Sequence, residues 1–227
     1  MIHYHGTPIT PHSEMFKMAG KHFCVCFNDA RNIDWCVANG QSVMLDNGAF
    51  SAFTQGRTTD FKAYEKWIEP YLYPPNWCVI PDVIDGTIAQ QKQLMQTFNY
   101  LPKHLVAAVW HMHLSLDWLL EIADEYDRFC FGSSGQYWQV GSESWSRRCD
   151  EAWNELTKRG HKSWVHMMRG LSLAGDQWPF ASADSTNVAR NFKNKQQQCC
   201  PERLARRIDS ILCPLNWNIK PTQGKLL

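Results

Sequence analysis

The chain has 227 residues, with 23 Lys plus Arg against 22 Asp plus Glu and a formal net charge of +1. That length suits one large domain with a substantial core, and the balanced charge excludes a surface that is basic all over, so any nucleic acid must meet a local patch. No window approaches 18 uninterrupted apolar residues, which excludes a helical membrane span.

The first apolar alternation, 2–5, is closed by Gly6-Thr7-Pro8 and predicts a strand. A short helix over 11–19, ended by Gly20, is followed by a second strand at 22–27. Asn28 or Asp29 opens a brief helix carrying Ile33, Trp35 and Val37, and Asn39-Gly40 breaks it before a third strand at 43–46. Thr59 and Asp60 start a helix over 61–71, whose Phe61, Tyr64, Trp67, Ile68 and Tyr71 recur at spacings of three and four. The fourth strand, 77–80, runs into Pro81-Asp82, and Thr87 caps a helix over 88–100. A fifth strand at 105–110, a helix over 115–126 and a sixth strand at 128–131 lead to the small-residue loop Gly132-Ser133-Ser134-Gly135. The longest amphipathic helix, 142–159, precedes strands at 163–168 and 180–183, and Pro201 begins a last helix that reaches about residue 213.

Eight apolar strands separated mostly by helices predict a closed parallel (β/α)8 TIM-like barrel, a single compact domain with a C-terminal helix and tail over about 201–227. An open doubly wound sheet is the alternative, but no G-x-G-x-x-G follows the first strand. In such barrels functional groups gather at the carboxyl ends of the strands, which here are marked by Asp46, Asp82, His111, Gly132, Gly170 and Asp184.

Two stretches carry candidate chemistry. In FASADSTNVARN (180–191) an apolar opening delivers Asp184 to a strand end, with Arg190 six residues on. In VMLDNGAFSAF (43–53) Asp46 likewise ends an apolar run. Either Asp suits a turn or a helix cap; as a pair, two such carboxylates suggest glycosyl chemistry. Nine scattered Cys form no disulfide framework and MIHYHGTPITP lacks a secretory pattern, so reduced thiols and a cytoplasmic setting are expected. Cys199, Cys200 and Cys213 lack tetrahedral-site spacing, and the Cys24, Cys26 and Cys36 group sits on and beside a strand, so no metal or other cofactor is expected.

LDNGAFS around Asp46 resembles the Asp-Ser-Gly-Gly-Phe-Gln motif of queuine and archaeosine tRNA-guanine transglycosylases, and DSTNVARN resembles their nucleophile segment. Pro81-Asp82, Gly132-Ser133-Ser134-Gly135 and Met168-Arg169-Gly170 stand where that family has its base-reading Asp, its Gly-rich loop and a Met-Gly pair. The family's C-x-C-x-x-C and distant His after the nucleophile are missing, and the chain is shorter. In this it resembles the compact phage DNA-guanine transglycosylases, which insert 7-deazaguanines such as 7-cyano-7-deazaguanine or a derivative into DNA.

The resemblance implies that Asp184 is the nucleophile, that Asp46 alternates as acid and base, and that Asp82 accepts from guanine N1 and the exocyclic amine. It implies a base site that also takes in Asn47, Gly48, His111 and Gly132, with amides near Ser133, Ser134 and Gly170 reading the base carbonyl. Phe50, Trp110 or Tyr137 would stack on a flipped-out or single-stranded base, and Arg190, Lys193, Lys195, Arg203, Arg206 and Arg207 would meet phosphates. The partners are then DNA and a free 7-deazaguanine base, with no membrane. Rival readings are a compact tRNA-guanine transglycosylase, a hydrolytic glycosylase, a non-catalytic nucleic-acid-binding barrel subunit, and a metal-dependent hydrolase suggested by His3-Tyr4-His5 and His111-Met112-His113.

Overall fold

Parallel strands need crossovers long enough to hold a helix, and closure is the one arrangement that leaves the sheet no edge. In the computed structural model, which describes residues 1–170, 177–197 and 200–221, eight parallel strands pair in chain order and β8 returns to β1. They are β1 (Ile2–Gly6), β2 (His22–Cys26), β3 (Ser42–Asp46), β4 (Trp77–Val79), β5 (Val106–His111), β6 (Arg128–Gly132), β7 (Trp164–Met167) and β8 (Ser182–Ser185). The α-helices are α1 (His12–Met15), α2 (Ile33–Asn39), α3 (Ala49–Thr54), α4 (Phe61–Ile68), α5 (Ile88–Thr97), α6 (Leu116–Glu125), α7 (Glu143–Lys158), α8 (Asn187–Asn191) and α9 (Pro201–Asp209). The (β/α)8 barrel expected from the sequence is therefore the fold, and none of the described helices is long and apolar enough to cross a membrane.

Strand alternation sorts the side chains into two cores. Tyr4, Cys24, Met44, Trp77, Val79, Ala107, Val109 and Cys130 fill the barrel, while their neighbours Val43, Leu45, Ala108, Trp110, Phe129 and Phe131 pack outward beneath the helices. The inner core is partly polar and satisfies itself: Trp77 Nε1 donates to Tyr4 Oη at 2.8 Å, and Tyr4 Oη lies 3.1 Å from Ser42 Oγ. Near the amino-terminal ends of the strands the Arg128 guanidinium lies against the rings of Trp77 and Trp164, 4.9 and 4.5 Å from their centroids.

The expected helix starts at Asp60, Thr87, Ser115 and Ser142 are real caps, each side chain accepting from a backbone N–H in the first turn. Several elements differ from the sequence reading, among them the helices expected over 61–71 and 88–100, which end at Ile68 and Thr97. The helix over 11–19 is only α1 followed by a 3-10 turn, Phe16–Met18. Strand eight begins at Ser182, because Phe180 packs in the outer core 5.5 Å from both Phe131 and Trp153, so Asp184 lies within the strand. Two short helices, α3 and α8, directly follow β3 and β8, and α9 stops at Asp209 rather than near 213. Cys199 and tail residues 222–227 lie outside the described residues.

Tyr64 braces the wall that carries the site. Its fully buried hydroxyl is shared between the carbonyls of Leu45 on β3 and Val79 on β4, at 3.0 and 2.8 Å, near the carboxyl ends of those strands. Tyr64→Phe should leave buried acceptors unpaired and lower unfolding free energy by about 1–3 kcal/mol in urea titration; an unchanged midpoint would show that the hydroxyl carries no such load.

Candidate active site

The carboxyl ends of the strands surround an open cavity of about 1100 Å³, with Asp46, Asp82, His111, Ser133, Arg169 and Asp184 on its wall. Three carboxyl groups from distant parts of the chain thus face one space.

Asp46 follows Met44 by two residues and so shares its inward face. Burial first, then the negative charge of Asp184, pushes its carboxyl up to about 7, opposed by a hydrogen bond from the Cys26 thiol. Cys26 is the register partner of Asp46 on β2, and burial together with that carboxyl pushes its own thiol up, so it stays a protonated donor. The next two residues shape the turn into α3: Asn47 Oδ1 accepts from the Ala49 amide at 2.8 Å, and Gly48 takes a φ of 73°. A Cβ at Gly48 would lie 2.5 Å from Asn28 Nδ2.

Asp184 points inward on β8, and a single one of its oxygens is held. Oδ1 accepts from the Arg169 amide at 2.9 Å and from Nε2 of the fully buried His166 at 3.2 Å. Ser182 Oγ, 2.6 Å from His166 Nδ1, fixes that ring. Oδ2 has no hydrogen-bond partner among the described residues, and Asp184 lines the cavity.

Asp82 anchors a second network. Its Oδ1 accepts from Asn47 Nδ2 at 2.7 Å and its Oδ2 from His111 Nε2 at 2.8 Å. Asn47 Nδ2 also donates to the Ile80 carbonyl at 2.9 Å. With its proton on Nε2, His111 keeps Nδ1 buried and without a partner. Gly132 makes room beside that nitrogen, since a Cβ there would lie 3.3 Å from it. An enclosed nitrogen left without a partner is a cost that the site carries to keep the other ring nitrogen on Asp82.

Of the residues expected to contact substrate, Asp46, Asp184, Asp82, Asn47, Phe50, His111, Gly132 and Ser133 all line the cavity, as does Arg190 on α8. Four others do not. Trp110 points away from the barrel; its indole is fully buried, packs 4.9 Å from Phe131 and donates to the Ser115 carbonyl, so no base can stack on it. Ser134 turns aside to put its hydroxyl 2.7 Å from His113 Nδ1. Gly170 lies against Met167 of the outer core, where a Cβ would meet Cγ at 2.1 Å, and Met168 and Arg169 take its place on the wall. Gly48 serves the turn rather than a ligand. Tyr137 is likewise off the wall, near the Arg148 guanidinium.

Lys193, Lys195, Arg203, Arg206 and Arg207 are exposed but off the cavity wall, the last three on α9, where Arg206 pairs with Glu202. Arg57, beyond α3, is a cation on the wall that sequence reasoning missed, and Cys26 and the Arg169 side chain line it too; His166 is off the wall and meets the site through its bond to Asp184. His166 carried a usable signal, being two residues short of Met168 on an inward-facing strand register. His3 and His5 face α9, bonding the Ile211 carbonyl and Asp209, and so do not join His111. Among the described residues no group of three or more His, Cys, Asp or Glu side chains is placed to hold a metal ion.

Comparison of the chain with family models, with curated proteins and with solved structures gives no match.

Proposed function

We propose that the chain is a base-exchange transglycosylase that replaces guanine in DNA with a 7-deazaguanine through a covalent Asp184–deoxyribose intermediate. The observation that carries this reading is the division of labour between two carboxyl groups on one wall: Asp46 held near 7, and Asp184 clamped through Oδ1 with Oδ2 free. A carboxyl kept protonated by burial, beside one anchored through a single oxygen, suits the roles of acid and nucleophile.

In the first half-reaction Asp184 Oδ2 attacks the anomeric carbon as the bond to the base breaks, and Asp46 gives its proton to the departing guanine, which leaves neutral. In the second, the Asp46 carboxylate takes the N9 proton of the incoming base. That nitrogen then attacks the anomeric carbon and displaces Asp184, so configuration is retained overall. His166 and the Arg169 amide hold Oδ1 and keep Oδ2 aimed. Asp82, steadied by Asn47 and His111, still has lone pairs for the N1–H and amine of a guanine-type base. Adenine presents no matching pair of donors. Phe50 supplies an apolar ring at the mouth, and Arg57 and Arg190 supply charge for phosphates.

The test incubates the protein with labelled guanine or 7-cyano-7-deazaguanine and, separately, single-stranded DNA, duplex DNA and tRNA. Label is expected in DNA, more in single strands because the base need not be flipped from a duplex. Label in tRNA alone would move the substrate to RNA, and label in none would remove the reading.

A further inference from the structure

Arg169 is the one non-glycine residue with a positive φ, 60°, among the described residues. A non-glycine residue in the left-handed region is strained and persists only where its surroundings impose it, which points to function more than to folding. Its main chain is committed to the site through the amide bond to Asp184 Oδ1. Its side chain reaches the loops after two other strands: Cζ lies 3.8 Å from the centre of the Phe50 ring, and Nη2 donates to the Ser133 carbonyl at 3.2 Å. No carboxylate pairs with the guanidinium among the described residues, and Nη2 is its only nitrogen with a protein acceptor there. A planar cation with open donors, resting on the one phenyl ring of the cavity wall, is poised for an anion and covers a face suited to a base.

We propose that Arg169 is a clasp with two alternative partners: the Phe50 ring while the cavity is empty, and a phosphate flanking the reacting nucleotide once a base has taken the ring face. This deepens the base-exchange reading and rests on it. In the open state the stacked guanidinium keeps the apolar face covered. When a base enters, it displaces the guanidinium, which turns to the backbone of the same strand while the main chain of Arg169 stays fixed to Asp184. Charge is thereby delivered only to a nucleotide whose base is already seated, so Arg169 acts as a positioning residue that couples base entry to backbone grip.

The two partners predict opposite effects from one substitution. Free guanine binding would be measured by calorimetry, and binding of a guanine-containing single-stranded oligodeoxynucleotide by anisotropy across a salt series. Both would be run on the wild type, Arg169→Ala and Arg169→Gly. Both variants should bind free guanine several-fold more tightly, since nothing competes for Phe50. They should bind the oligonucleotide roughly tenfold more weakly, with a log–log salt slope shallower by about 0.7, the value for one lost phosphate contact on a single strand. Arg169→Gly, which also relieves the strained φ, should melt above the wild type, so a loss of affinity there cannot come from misfolding. Parallel weakening of both ligands, or no change in either, would overturn the clasp while leaving base exchange standing. A wild-type protein that binds neither ligand would overturn both.

Discussion

Asp184→Asn should abolish base exchange, lowering kcat by about 10³–10⁵-fold, as expected when a covalent nucleophile is removed. Affinity for single-stranded DNA should change little. The substitution is chosen because the amide keeps an oxygen where Oδ1 accepts from His166 and the Arg169 amide, so the local frame survives and only the attacking oxygen is lost. It has a second expected consequence inside the same cavity. The charge of Asp184 is one of the causes that raise the Asp46 carboxyl, so Asp46 should titrate below about 7 in this variant. The fall should be partial, because burial is the larger cause and remains. Carboxyl-carbon NMR titration of both proteins reads this directly, and an unmoved Asp46 would mean the two groups do not sense one another.

Asp46→Asn should cost about 10²–10⁴-fold in exchange, the usual span for a lost general acid–base group, and yet should stabilise the fold at alkaline pH. The sign follows from linkage. The unfolded chain gives up this proton at roughly pH 4, and the folded chain holds it until about 7, so folding takes up a proton across that window. The contribution of Asp46 to wild-type stability therefore falls as pH rises from roughly 4 to 7, by about 1.4 kcal/mol per unit at most. Asn does not titrate and escapes that loss. Urea denaturation should find Asp46→Asn more stable than the wild type at pH 8 by on the order of 2–4 kcal/mol, discounted for the half-open setting, with the gap closing near pH 4. A variant less stable than the wild type at pH 8 would contradict the buried, proton-holding role of Asp46. A gain in stability with a loss of activity is what a group kept in an unfavourable setting for its chemistry should show.

The barrel was legible because its strands are short apolar runs spaced by helices with recognisable caps, and because one rule places function at the carboxyl ends of such strands. That rule brought Asp46, Asp82, His111, Gly132 and Asp184 to one cavity from the sequence alone. It failed where closeness along the chain was taken for closeness in space. Trp110 adjoins His111, yet the two-residue alternation that turns Ala107, Val109 and His111 inward sends Trp110 out beneath α6. The same parity separates Met168 from Met167, whereas Gly170, beyond the end of β7 and after the left-handed Arg169, lies against Met167 and off the wall. The arginines of α9 form the solvated face of an amphipathic helix, and their charge alone gave no direction.

Other features had no local signal at all. The left-handed turn at Arg169 is accompanied by contacts with α3, the loop after β6 and β8, which a sequence window does not hold. The raised carboxyl of Asp46 depends on burial and on Asp184, both products of closure. Periodicity could place these carboxyl groups on one rim, but only the closed barrel determines which of them keeps its proton.

The most direct measurement is mass spectrometry of the protein after reaction with a guanine-containing single-stranded oligonucleotide in the absence of free base, quenched in acid and digested. The account predicts a peptide spanning Asp184 that carries the oligonucleotide less one guanine. The adduct should be absent from Asp184→Asn and be discharged by added 7-cyano-7-deazaguanine. Base exchange proceeding with an unmodified Asp184, or an adduct on any other residue, would contradict it.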